Sequence, residues 1–130
     1  MNYLGIDWGQ SKIGFALGTS EMKISSPILI LSYKNLSELA KSIQKLIDDE
    51  KIDELIIGQP KTLAGEENLH KNFEEFLNWI KQFGKLVHLE DERMSTKYAE
   101  SMKKEFKGYK KVGDDDIAAA AILQSYFERL

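Results

Sequence analysis

The chain contains no cysteine, and among its 130 residues it has only two histidines, two prolines and two arginines. Without cysteine there is no disulfide, no thiol nucleophile and no thiolate zinc site, a pattern that fits a cytoplasmic protein. The two imidazoles, His70 and His88, fall on different elements, one near the start of a polar helix and one within a strand, and both have structural readings. No apolar run approaches the ~20 residues a membrane span needs, and Met1-Asn2-Tyr3-Leu4 lacks the basic-then-apolar order of a secretory signal. A membrane partner is therefore not expected. The net charge of −3 also withholds the overall basic surface that non-specific phosphate binding requires. What is left for chemistry is oxygen: carboxylates, hydroxyls and any hard cation they hold.

The segment from Leu4 to Ile13 is the most informative part of what is present. A strand that buries Leu4 and Ile6 and then ends in Asp7-Trp8-Gly9 sets a carboxylate at its mouth. Gly9 lets the backbone turn sharply, and Lys12 to Gly18 returns as an antiparallel partner. Asp7 then has two readings, a ligand-facing carboxylate or an Asx-turn residue, and taken alone it does not separate them.

The rest of the chain reads as one domain over residues 1–130, with no repeat, linker or low-complexity stretch. Ile24 to Leu31 is a third strand, with Pro27 pointing to an edge or strand-start position. Leu36, Leu39, Ala40, Ile43, Leu46 and Ile47 line one face of a helix from about Ser37 to Glu50, capped by Asn35 or Ser37. Leu55-Ile56-Ile57-Gly58 is a continuous apolar run, the pattern of a central parallel strand covered on both faces. A second helix buries Leu69, Phe73, Phe76, Leu77 and Ile80 and stops at Gly84; Leu86 to Leu89 forms a fifth strand that runs into Glu90-Asp91-Glu92-Arg93. Ser95 or Thr96 caps a helix with Tyr98, Ala99, Met102 and Phe106 on its apolar side. Asp114-Asp115-Asp116 then opens a final, alanine-rich helix over Ile117 to Phe127, whose small residues imply close approach to a sheet. The fold class is α/β: three antiparallel strands and then parallel strands in one five-stranded mixed sheet flanked by helices.

Acidic residues now fall at three comparable places: Asp7 at the end of strand one, Glu92 past the end of strand five and Asp115 at the start of the last helix. Helix capping alone accounts for at least one acid of the Asp114–Asp116 triplet. Were the three groups to converge, they would repel unless a cation sat between them, and oxygen-only ligands select Mg²⁺ or Mn²⁺. Such ions activate water against phosphate esters, so the expected chemistry is phosphodiester hydrolysis.

In order and spacing, Gly5-Ile6-Asp7-x-Gly9 with Lys12-Ile13-Gly14-x-Ala16, Ile56-Ile57-Gly58-x-Pro60 with Gly65, Asp91-Glu92-Arg93-x-Ser95-Thr96, and Asp115-x-x-Ala118-Ala119 with Ile122 to Tyr126 resemble the bacterial YqgF/RuvX family. The resemblance covers nearly the whole chain. It implies a ribonuclease H-like fold and a metal-dependent nuclease, described for the family as maturing the 5′ end of pre-16S rRNA or as resolving Holliday junctions. Carried over by position, it puts the acidic site at Asp7, Glu92 and Asp115, the last because it stands three residues before Ala118 and seven before Ile122. The implied roles are Asp7 bridging two Mg²⁺ (or Mn²⁺) ions, with Glu92 and Asp115 each completing one. The chain departs from the pattern at Lys12, where arginine is usual and the bidentate fork for phosphate is lost, at Gln59 in place of leucine, and at Leu63-Ala64-Gly65 in place of Met-Asp-Gly.

The substrate would then be RNA, an rRNA precursor free or in the pre-ribosome, or branched DNA. Lys12, Lys61 and Arg93 are candidates for substrate phosphates, Arg93 having an ion pair with Asp91 or Glu90 as its alternative. The window Lys103 to Lys111 packs five lysines and two aromatics into nine residues. Lys107, Lys110 and Lys111 in it are candidates for the flanking backbone, the alternative being a solvated loop. Tyr109 has a stacking and a packing reading. A monomer or weak homodimer is expected. Two other classes compete: an actin-like ATPase, disfavoured because 130 residues supply one lobe of the two required, and a catalytically silent nucleic-acid-binding module, disfavoured by retention of all three acids.

Overall fold

A computed structural model describes residues 1–59, 67–91 and 114–130, with residues 67–70, 91 and 114–116 described by their backbone alone. Five strands form one sheet: β1 (Asn2–Trp8), β2 (Lys12–Thr19), β3 (Ser25–Ser32), β4 (Glu54–Gln59) and β5 (Leu86–Asp91). Their order is β3-β2-β1-β4-β5. The first three pair antiparallel, and β4 runs parallel to both β1 and β5, as the uninterrupted apolar run at Leu55 to Ile57 requires of a strand covered on both faces. Pro27 lies on the edge strand β3, and the β2–β3 register slips there, with Phe15 opposite Leu29 but Ala16 opposite Pro27. Proline donates no ladder hydrogen bond, so the edge and the bulge are where it fits.

Three described helices cover the sheet: α1 (Leu36–Asp49), α2 (Glu67–Ile80) and α3 (Asp114–Glu128). Of the two candidate caps for α1, Asn35 is the one used: its side chain accepts from the Glu38 backbone N–H, while the Glu38 carboxylate accepts from the Lys34 N–H at 2.9 Å. A short 3₁₀ turn, Lys81–Phe83, ends α2, and Gly84 closes it in the left-handed region at φ 73°. The helix expected after Ser95 or Thr96 lies outside the described residues.

Strand alternation divides the core in two. Leu4, Ile6 and Trp8 of β1 point to one face, where they pack with Leu39, Ile43 and Ile47 of α1 and Phe73, Phe76 and Ile80 of α2. Tyr3 points to the other face, with Ala16 and Ile56, and meets Ala119, Ala120, Leu123 and Phe127 of α3. Gly5 shares that second face, and Asp7 is the next residue on it.

Candidate active site

Asp7 is the penultimate residue of β1 and is partly exposed. Its partner across the ladder in β2 is Gly14. On the other side, β1 pairs with β4 through Ile6 and Ile57, so the next step of the same parallel register sets Asp7 beside Gly58, which in turn pairs with Glu90 of β5. A row across the sheet therefore reads Gly14, Asp7, Gly58, Glu90. The two glycines flanking Asp7 in this row carry no side chains, so neither strand neighbour covers its carboxylate with one.

The direction of α3 decides which of its ends lies over this row. The Phe127 ring lies 5.6 Å from the Tyr3 ring, and Ala119 and Leu123 press on Gly5. The helix consequently runs antiparallel to β1, and its N-terminal turn, which contains Asp114, Asp115 and Asp116, arrives at the end of the sheet where Asp7 lies. Ser25 pins the crossing, its hydroxyl donating to the Ala120 carbonyl at 2.6 Å. Asp7 and the start of α3 are thus brought to one face and one end of the sheet.

Glu90, which the sequence offered as a member of an acidic run and as a possible partner of Arg93, is buried at 2% exposure and is paired with Arg129, just past the far end of α3. A carboxylate taken out of water needs such a partner. His88, two residues earlier on the same face, has the structural role expected of it: its Nε2 lies 2.5 Å from Glu54 Oε1, and its ring packs at a tilt against Tyr126 with centroids 5.1 Å apart. Glu90–Arg129 and the His88–Tyr126 ring contact tie β5 to the underside of α3, and His88–Glu54 ties it to β4.

Around Asp7 the chain turns tightly. Lys12, the first residue of β2, is exposed at this turn. On the opposite face, Trp8 is buried against Phe73, with ring centroids 5.3 Å apart. Tyr33, which follows β3, donates its hydroxyl proton to the Gly9 carbonyl, and its backbone N–H donates to the Ser11 carbonyl at 3.0 Å. Burial pushes the Tyr33 phenol up, and a hydrogen bond with the Trp8 side chain pulls it partly back. Sequence reasoning missed Tyr33, because an aromatic between a strand and a helix cap carries no signal of its partner; only the β2–β3 register brings it to the first turn. A recess of about 140 Å³ opens beside it, lined among others by Trp8, Gln10, Lys34, Asn72 and Glu75.

Of the residues singled out from the sequence, Asp7 and Lys12 are described in full and Asp115 by its backbone. Glu92, Lys61, Arg93, Lys107, Lys110 and Lys111 lie outside the described residues, as do Lys103, Lys104 and Tyr109. Among the described side chains no three histidines or carboxylates come together as a cation site. No described helix is long and apolar enough to cross a membrane.

Comparison with known proteins gives a consistent answer. The RuvX family model, described as a Holliday junction resolvase, matches residues 1–129. A protein of Nitrosospira multiformis, provisionally named a pre-16S rRNA nuclease, is 37% identical across 97% of this chain and 87% of its own length. One of Shewanella denitrificans with the same name is 34% identical across 96% of this chain and 92% of its own length. In structure, the chain is similar to Thermus thermophilus RuvC solved with a Holliday junction substrate, at TM-score 0.72 and 12% identity over 99% of this chain and 95% of that one. It is also similar to the fowlpox virus resolvase solved with junction DNA, at TM-score 0.60 and 14% identity over 99% and 98%. At such identities the likeness is one of fold, the ribonuclease H-like fold of the RuvC resolvases.

Proposed function

The chain belongs to the RuvX family, and from that premise we propose that it is a metal-dependent nuclease that hydrolyses phosphodiester bonds at the 5′ end of the 16S rRNA precursor. The observation that carries this reading is the placement of Asp7: a carboxylate between two glycines near the C-terminal end of a central strand, on the face where the acidic first turn of α3 arrives. A structural Asx-turn aspartate does not need the helix.

The donor set fits a hard cation. The chain has no cysteine, and the candidate ligands Asp7, Glu92 and Asp115 offer only oxygen, the preference of Mg²⁺ and Mn²⁺. Along α3, the row of residues that meets β1 steps back by four from Phe127 to Leu123 to Ala119, and its next member is position 115. Gly5 meets both Leu123 and Ala119, and since four helical residues rise about 6 Å and two strand residues advance about 6.6 Å, the next step of the row runs toward Asp7. This favours Asp115 over Asp114 and Asp116. An ion held by the three carboxylates would supply the Lewis acidity that activates the attacking water and neutralises the leaving oxygen.

The chain's own contribution is to fix the carboxylates and the substrate. Lys12 at the rim of the turn, with Lys61, Arg93, Lys107, Lys110 and Lys111, holds substrate phosphates, and Asp7 orients the reacting centre. The protein works in the cytoplasm, as one domain, monomeric or weakly dimeric. The family description favours a second substrate, a four-way DNA junction. Resolving a junction takes two symmetric cuts and hence a two-fold dimer. Offering the purified protein, with Mg²⁺ or Mn²⁺, a single-stranded RNA, an rRNA-precursor fragment and a four-way junction separates the readings. Cleavage of the precursor at the mature end by a monomer is expected, whereas paired cuts of the junction alone would replace RNA with DNA as the substrate.

A further inference from the structure

The end of β1 next to Asp7 is held by a side chain from another part of the fold. Tyr33 grips the β1–β2 turn at two points, through its hydroxyl on the Gly9 carbonyl and its N–H on the Ser11 carbonyl. Between those points the turn has no slack: a Cβ placed on Gly9 would lie 2.5 Å from the Lys12 carbonyl oxygen, so the two backbones already touch. Gly9 is two residues from Asp7, and the intervening Trp8 is wedged between β1 and Phe73 and Phe76 of α2. Any tilt of the turn must therefore move the strand end that presents the carboxylate. The β1–β2 ladder pairs Asp7 with Gly14, so the backbone of this strand end carries the movement of the turn to Asp7.

We propose that Tyr33 is a positioning residue, whose hydroxyl locks the β1–β2 turn through Gly9 and thereby fixes the angle at which Asp7 meets a divalent cation. The proposal rests on the reading of Asp7 as a metal ligand. Its physical basis is that metal-binding carboxylates tolerate displacements of only about 0.5 Å, and that outer groups orienting a ligand typically change metal affinity by about 10- to 100-fold when removed. The phenol is well suited to the task. It is half-buried, and its hydroxyl donates to the Gly9 carbonyl.

The test is direct Mn²⁺ binding, followed by water-proton relaxation, on wild type, Tyr33→Phe, Leu36→Ala and Asp7→Asn. Phenylalanine keeps the ring and the backbone N–H and loses only the hydroxyl. Leu36→Ala removes a half-buried side chain that lines the same recess without bonding to the turn. Tyr33→Phe is expected to weaken Mn²⁺ binding by about ten-fold or more, with metal-free affinity for single-stranded RNA unchanged, while Leu36→Ala lowers the melting temperature and leaves Mn²⁺ affinity alone. Equal losses in both variants would reduce Tyr33 to a packing residue. Wild-type Mn²⁺ affinity in Tyr33→Phe, beside lost binding in Asp7→Asn, would overturn the positioning role alone; wild-type affinity in Asp7→Asn would remove the metal-ligand reading beneath it. Should Tyr33→Phe fail to fold, hydrogen exchange in the wild-type protein decides. A locked turn protects the Tyr33 amide, which donates to the Ser11 carbonyl, and exchange there at free-peptide rates would sink the proposal.

Discussion

Gly5 and Ala119 are in backbone contact: a Cβ added to Gly5 would stand 2.8 Å from the Ala119 carbonyl oxygen and 2.9 Å from the Leu123 Cβ. This contact sets the height of α3 above β1 and, with it, the distance between the helix's acidic first turn and Asp7. The alanine run at positions 118–121 is the helix side of the same bargain, since larger residues there would hold the two elements apart.

Gly5→Ala should therefore lift α3 at its crossing. The clash is with a backbone oxygen, which cannot rotate away, so overpacking is expected to cost about 1–3 kcal/mol. Chemical denaturation should show the lower midpoint, and nuclease activity should fall at temperatures where the protein is still folded. A variant as stable and as active as wild type would show that the helix has room to move.

Tyr3 predicts alkaline sensitivity. Its phenol is pushed up to about 12 from the usual 10.0, first by burial, then by the nearby charge of Glu54 and by Tyr126. The raised value means the folded protein holds a proton that the unfolded chain gives up. The corresponding stability is complete below pH about 10 and is lost as pH rises toward 12. Equilibrium unfolding across that window should show the loss in wild type and a flatter profile in Tyr3→Phe. Equal slopes would mean that other groups drive alkaline unfolding.

These features differ in how far the sequence announces them. The parallel position of β4 follows from Leu55-Ile56-Ile57 being apolar on both faces, and the edge position of β3 from Pro27. Asp7 stands out because it is the one charge in an otherwise apolar strand. The alanines of α3 announce close approach, but not that Gly5 is what they approach, since that depends on where a helix 114 residues later in the chain crosses β1. Glu90 and Arg129 are 39 residues apart, and nothing local marks either as buried or paired. Tyr33 is silent for the same reason: its partner is chosen by strand register. Local pattern specifies elements; contacts made by tertiary geometry must be seen.

The acidic site has its own discriminating series. Asp7→Asn should abolish cleavage with the fold intact, because the change removes charge but little volume. Of Asp114→Asn, Asp115→Asn and Asp116→Asn, only the second should do the same, and equal tolerance at all three would make the triplet a helix cap. Glu92→Gln should lower divalent-ion affinity and activity together, since ligand number sets affinity. Chelation should silence the wild type reversibly; activity that survives exhaustive chelation would exclude a metal mechanism.

The lysine window is where the net charge of −3 makes a nucleic-acid role least obvious, and salt dependence is the property that exposes it. If Lys107, Lys110 and Lys111 contact the substrate backbone, each releases counterions on binding, and affinity for a single strand falls with a log–log slope of about 0.7 per phosphate contacted. Replacing the three with glutamine should weaken binding and flatten that slope by roughly two units. The metal ligands are untouched, so kcat at saturating substrate should hold while KM rises. A triple variant whose binding and salt slope match wild type would make the window a solvated loop. The substrate track would then run instead along Lys12, Lys61 and Arg93, the remaining cations assigned to substrate phosphates.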